Sequence, residues 1–246
     1  MSDNKFNDIL NEIKVNRTFL SVYIPSKQTE VELLPLTLAQ QKLIIETTSD
    51  TTLGILFFNN IFYKILKENI QCDIKDLTTI DRVNLTLTLR QHLEDIVEFG
   101  EISVSVAEIL EKNKSIVNTI EPVTLTSGDF TFEIQAPNLD IDNFINTHLL
   151  NKYKNVSFDD HKLKNLISDL YVYEILKFIK TIKINDTEIS LHSELVKSAS
   201  VIESIDTKHF KSITDYINNV RDTEAKYTKC IKSEKSIDIT PDLFIL

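Results

Sequence analysis

A chain of 246 residues with 42% hydrophobic and 26% charged residues can bury one large core or two modest ones, and its composition excludes wholesale disorder. A formal net charge of −10 counts against a protein that tracks nucleic-acid phosphates, which needs a concentrated basic face. Only three glycines occur, isolated at Gly54, Gly100 and Gly128, so no Walker-type loop or GxGxxG turn can be written and ordinary nucleotide enzymology is excluded.

Phe6, Ile9, Leu10 and Ile13 recur at helical spacing and predict a short amphipathic opening helix. The alternation over 19–24, the Pro25-Ser26 turn and the extended run over 29–34 predict a small β-hairpin ended by Pro35. Thr37 with Gln40 forms a capping box at the start of a helix carrying Leu38, Leu43 and Ile45. A second helix over about 52–68 carries Leu53, Leu56, Phe57, Ile61, Ile65 and Leu66 around much of its circumference, which predicts the most buried element. Gly54 near its start predicts a close approach of another backbone. A third helix begins at Thr78 or Thr79, with Asp81 on its positive first turn and apolar seams through Ile80, Val83, Leu87 and through Leu85, Leu89, Leu93. A strand and a helix fit 101–121.

Residues 123–134 predict a hairpin with a Ser127-Gly128 loop, setting Leu125 opposite Phe130 and Val123 opposite Phe132. A helix over about 141–153 follows. Ser157 is the expected cap of the longest helix, with a stripe of Leu163, Leu166, Ile167, Leu170, Tyr173 and Leu176. A hairpin over 181–191 turns at Asn185-Asp186 and pairs Ile182 with Ile189 and Lys183 with Glu188. Helices over about 194–204 and 208–226 precede an extended tail, 236–246. The expected fold class is therefore α+β, helix-dominated with two or three β-hairpins. A boundary near Glu121-Pro122 would divide it into an N-terminal helical module, 1–121, and a C-terminal α+β region, 122–246.

Cys72 and Cys230 are too few for a disulfide scaffold, no apolar run is long enough to span a bilayer, and the N-terminus lacks a signal-peptide pattern, so a reducing cytoplasm is the expected compartment. Lys229, Lys232 and Lys235 are diluted by Glu224 and Glu234 and read as solvated surface. His92, His148, His161, His192 and His209 are scattered without paired-ligand spacing. Asp159-Asp160-His161 could serve a metal-dependent hydrolase, but the same acids suit the first turn of a helix. Asn138, Asp140 and Asp142 alternate like a calcium loop, yet Leu149 stands where the closing glutamate belongs. Ser200, Asp206 and His209 could be drawn as a triad, without a nucleophile elbow to expose the serine. No catalytic, cofactor or metal residues are therefore assigned, and no cofactor is expected.

Binding features are stronger. Asp81 and Arg90 could form a charged pair that anchors an interface, or could serve the helix start and solvent respectively. Leu243, Phe244, Ile245 and Leu246 form an apolar terminus that needs covering, either by the protein's own core or by a partner groove into which an adaptor would present it.

The entry Leu34-Pro35-Leu36, the capped helix with Lys42-Leu43-Ile44-Ile45-Glu46, and Asp76-Leu77 followed by Asp81 and Leu89-Arg90 resemble the baseplate hub assembly proteins of T4-type tailed phages. The ending that follows Ile237-Asp238-Ile239-Thr240-Pro241-Asp242 is similar to tails of that family, while the middle and late regions match nothing in it. The resemblance implies a non-enzymatic hub component or chaperone-like assembly factor. Its partners would be other baseplate or hub proteins or a second copy of itself, with no nucleic acid, membrane or small-molecule substrate. It would act in the host cytoplasm during assembly or remain in the virion baseplate. Leu34, Asp76, Asp81 and Arg90 would then lie at the interface.

Overall fold

The computed structural model describes residues 17–50, 52–99, 102–231 and 235–245; the opening helix expected around Phe6–Ile13 lies outside them. The first alternating segments pair as β1 (Leu20–Ile24) and β2 (Thr29–Leu33), antiparallel with Val22 opposite Val31. Thr37 then starts α1 (Leu38–Glu46): its hydroxyl accepts from the Gln40 N–H at 3.2 Å and the Gln40 carboxamide accepts from the Thr37 N–H at 3.1 Å. That closes the expected capping box.

Helix α2 (Gly54–Asn69) begins against the loop that ends α1. A Cβ on Gly54 would lie 2.9 Å from the Thr47 carbonyl oxygen, so the chain can pass only because the residue has no side chain. Next comes α3 (Thr79–Leu93), the buried centre of the molecule. Eleven of its fifteen residues are buried, among them Thr79, Asp81, Asn84, Thr86, Thr88 and Arg90. The expectation that α2 is the most buried helix is thus corrected. Hydropathy ranks these polar residues as surface, whereas tertiary hydrogen bonds allow them inside.

A β3–β4 hairpin (Ile96–Phe99, Ile102–Ser105) leads into α4 (Val106–Asn113), capped by Ser105. The main sheet follows in the order β5-β6-β7-β8: Val123–Ser127, Phe130–Ile134, Ile179–Ile184 and Thr187–Ser190, all antiparallel. Between β6 and β7 run α5 (Leu139–Tyr153) and α6 (Asp160–Phe178); α7 (Leu195–Ser204) and α8 (Lys211–Thr228) close the helical set. The protein is an α+β, helix-dominated fold with eight α-helices and three small antiparallel sheets among the described residues. No helix of the described residues is long and apolar enough to cross a membrane.

Three local expectations are corrected. The β5–β6 loop is Gly128-Asp129, so Leu125 faces Phe132 and Val123 faces Ile134, a shift of two residues that preserves which face is buried. Gly128 has a φ of 61°, the left-handed value that a two-residue loop of the II′ kind places first, and this selects the register. The cap of α6 is Asp159, whose carboxylate accepts from the Lys162 N–H at 2.8 Å, rather than Ser157. The tail ends in a short 3-10 turn (Pro241–Phe244) instead of staying extended. The β7–β8 register, Ile182 with Ile189 and Lys183 with Glu188, is as the alternation predicts, with Asn185 at a φ of 53° in the turn.

Buried residues on both sides of Glu121-Pro122 join one hydrophobic cluster, from Phe58 and Leu87 to Ile145, Leu176 and Ile217. Substituting Gly54→Ala forces the Thr47 carbonyl aside and is expected to lower stability by about 1–3 kcal/mol despite the better helix propensity of alanine. An unchanged urea midpoint would show that the two backbones separate freely.

Candidate functional site

Asp81 is fully buried. Its carboxylate accepts from the Ser26 N–H (2.8 Å), the Ser26 hydroxyl (2.6 Å), the Thr78 N–H (2.7 Å) and the Thr78 hydroxyl (3.0 Å). It therefore ties the β1–β2 turn to the first turn of α3. Arg90 is also buried, at the other end of α3. Its guanidinium donates to the Glu94 carbonyl, to the Glu94 carboxylate at 3.2 Å and to the Ile96 carbonyl at 2.9 Å. The two residues are not a pair, and each closes one end of the helix. Asp76 is exposed and pairs with Lys27 at 3.1 Å, while the Leu34 N–H donates to the Asn69 carbonyl at 2.9 Å.

The tail packs onto the chain itself. Phe244 is fully buried with its ring 6.3 Å from that of Phe58 and 6.0 Å from that of Phe62, and its carbonyl accepts from the Gln41 side chain at 2.9 Å. Leu243 is buried beside it, Ile245 is exposed, and Leu246 lies outside the described residues. Of the two coverings open to the terminus, the protein's own core is the one observed.

The drawn chemical sites have other uses. Asp159 caps α6, and that backbone hydrogen bond holds its carboxyl below the usual range. No group of three His, Cys, Asp or Glu side chains able to hold a metal occurs among the described residues. Asn138 caps α5, and Asp140 accepts from Tyr63 at 2.6 Å. Ser200 donates back to Val196 within α7, and Asp206 accepts from the Lys208 N–H. His209 meets Ser127 at 2.9 Å, so the triad does not assemble.

Two constellations escaped the sequence. One is an ionic network joining α3, α5, α6 and α8. The Asp142 carboxylate, almost completely buried, takes Arg82 at 2.7 Å and Lys177 at 2.8 Å, with the Asn146 amide at 3.1 Å. Lys177 continues to Glu174 at 3.1 Å and Glu174 to Arg221 at 3.2 Å. Burial alone would raise the Asp142 carboxyl; Lys177 and Arg82 outweigh it and hold the group at about 2. Burial likewise opposes the charge on Glu174, and Lys177 outweighs it. Glu224, beside Thr79 and Arg82, is pushed up by burial. Only the Glu174–Lys177 spacing was visible in the sequence. The network matches cation to anion across four helices and acts as a clamp.

The other is an apolar surface on α6 and α7. Leu163, Ile167 and Tyr171 recur every fourth residue on one face of α6 and are 41%, 58% and 66% exposed. Tyr171 leads into a groove of about 330 Å³ between α6, α7 and α8, lined by Ile175, Ile202, Ile205 and Phe210 with Glu203 and Lys211. Val196, also exposed, stands two turns before Glu203 on α7. The expected α6 stripe is therefore split: Leu166, Tyr173 and Leu176 are buried, whereas Leu163 and Ile167 face outward.

The folded-state depression of Asp142 from 3.8 to about 2 contributes stability that is complete above the unfolded value and lost as pH falls through the folded one. The loss between pH 4 and pH 2 is expected to be on the order of 2 kcal/mol. Asp142→Asn should cost about 3–5 kcal/mol at neutral pH, because Arg82 and Lys177 remain buried without their anion, and should flatten that acid limb. Urea unfolding as a function of pH measures both; an acid limb of equal slope in the variant would refute the assignment.

Compared with known proteins, the chain matches no family model, no curated protein and no solved structure.

Proposed function

We propose that this chain works by docking to other polypeptides, as a non-enzymatic baseplate hub component or hub assembly factor of a contractile-tailed T4-type phage, acting in the host cytoplasm. The single observation that carries the docking reading is the α6 surface: three large apolar side chains in a row, exposed, continuing into an apolar groove. The phage assignment rests on the resemblance within residues 34–92 and names the class of partner.

This reading sets the interface elsewhere than the residues first suggested. Asp81 and Arg90 are occupied inside the chain, so neither is offered to a partner. An adaptor presenting the tail would have to withdraw Phe244 from beside Phe58 and Phe62, a loss of about 3–5 kcal/mol for a buried aromatic. A hydrolase built on Asp159, Asp160 and His161 would have to give up the α6 cap. The exposed α6 face requires neither change. Its neighbour α5 is held by the ionic clamp, so the face is offered from a rigid base, the condition for low ordering cost on binding.

Titrating the protein against purified baseplate hub proteins of T4-type phages tests this. Wild type binds, and Ile167→Asp or Tyr171→Asp weakens binding by at least about tenfold, as loss of an anchor does. Both positions are exposed, so the unfolding free energy stays within about 0.5 kcal/mol of wild type. Variants that bind as well as wild type would remove the surface from the account, and wild type that binds no hub protein would remove the phage role.

A further inference from the structure

Among the described residues the main sheet has two unpaired edges, β5 and β8, because its order runs β5-β6-β7-β8. Free edges carry unpaired backbone donors and acceptors and are usually guarded by charge, proline or a bulge. Strand β5 reads Val123-Thr124-Leu125-Thr126-Ser127 and carries no charge and no proline within it. The opposite edge is guarded: β8 has Glu188 among its residues.

The hairpin geometry says which groups of β5 are free. Its loop has two residues, so the flanking pair Ser127 and Phe130 is hydrogen-bonded, and every second pair after it is too. Ser127, Leu125 and Val123 therefore turn their backbone groups toward β6. Thr124 and Thr126 turn theirs to the open edge. On the core-facing side, Phe132 of β6 and Ile182 of β7 are fully buried, while Val123 and Leu125 of β5 are only partly covered. Phe130, Ile184 and Ile189 on this face are partly covered too, but Val123 and Leu125 are the ones that lie along an edge strand without a charged residue.

We infer that β5 pairs with β5 of a second copy of this chain, antiparallel about a twofold axis through Leu125. In that register Thr124 opposes Thr126 of the partner, and the pair exchanges both backbone hydrogen bonds; the symmetry repeats this on the other side, so the outward N–H groups of both strands are satisfied. Leu125 meets its own symmetry mate as a non-hydrogen-bonded pair, where side chains come closest, and each covers the flank the other leaves open. Val123 opposes Ser127. No like charges face each other within the strand. The Thr124–Thr126 contacts on the outer face suit hydroxyl pairing. Such an interface is isologous and closes at two copies, since each β5 is consumed and Glu188 disfavours the same pairing at β8. It does not depend on the docking role of α6, which lies on a different element. Its small area places it among weak, concentration-dependent associations.

Sedimentation of the full chain from about 1 µM to about 1 mM should follow a monomer–dimer equilibrium. Thr126→Pro removes an N–H that the protein's own sheet does not use, so folding is retained. Losing the two bonds this N–H makes in the symmetric pair raises the dissociation constant about thirtyfold. Thr126→Lys, a charge of the kind natural edges carry, acts in the same direction and covers the case in which proline disturbs the hairpin. Hydrogen exchange supplies a second readout: amides of Thr124 and Thr126 become protected as concentration rises, while those of Glu188 and Ser190 do not. A monomer across the whole range, a dimer indifferent to both variants, or open-ended assembly each overturns the inference.

Discussion

A helix can be enclosed on every side only if each polar group it carries finds a partner within the protein, because an unpaired buried group costs as much as several apolar contacts contribute. Helix α3 comes close to that condition: among the described residues, Arg90 Nε is its one buried side-chain polar atom without a partner. Asp81 closes its start onto Ser26 and Thr78, and the Asn84 amide donates to the Tyr23 carbonyl at 3.0 Å. Asn113 bridges from the Asn84 side chain to the Tyr227 carbonyl, at 2.7 and 2.8 Å. Arg82 reaches Asp142, and Arg90 closes the end onto Glu94 and Ile96. Through these bonds one helix fixes the β1–β2 hairpin, α4, α5 and α8 around itself.

The same helix links the two halves that the sequence separates at Glu121-Pro122. Thr79 donates its N–H to the Pro137 carbonyl, and Leu139 returns one to Leu77. Arg82 and Lys177 then meet on Asp142, which makes α5 the common neighbour of α3 and α6. A buried ion pair of this kind contributes little net stability over an apolar filling, but removing one member is costly, so it enforces one arrangement of the helices. The first half of α6 extends beyond this clamp, and there its outer face carries Leu163 and Ile167 uncovered. Rigidity beneath and apolar exposure above are thus produced by adjoining stretches of one helix.

Local signals were legible where the physics is local. The Thr37–Gln40 capping box, the close approach at Gly54 and the Asn185-Asp186 turn each depend on a few neighbouring residues, and each is where the sequence placed it. Gly128 was recognised as a turn residue, but its position within the loop moved the β5–β6 register by two. Burial of α3 was not legible, since Thr, Asn, Asp and Arg look solvated until their distant partners are known. Nor could periodicity decide which side of α6 is covered: Leu163, Leu166, Ile167 and Leu170 are all apolar, and only packing against α5 and α7 separates them. Asp81 serves the helix start, one of the two roles the sequence left open for it, whereas Arg90 is neither its partner nor solvated but buried against Glu94 and Ile96.

Native-state hydrogen exchange measures most directly whether the fold is organised around the enclosed helix. Amides within Thr79–Leu93 should exchange only through global unfolding and share the highest free energy in the protein, while those in the first half of α6 open locally at much lower cost. Sub-global opening of Thr79–Leu93 with the four-stranded sheet still protected would contradict this organisation.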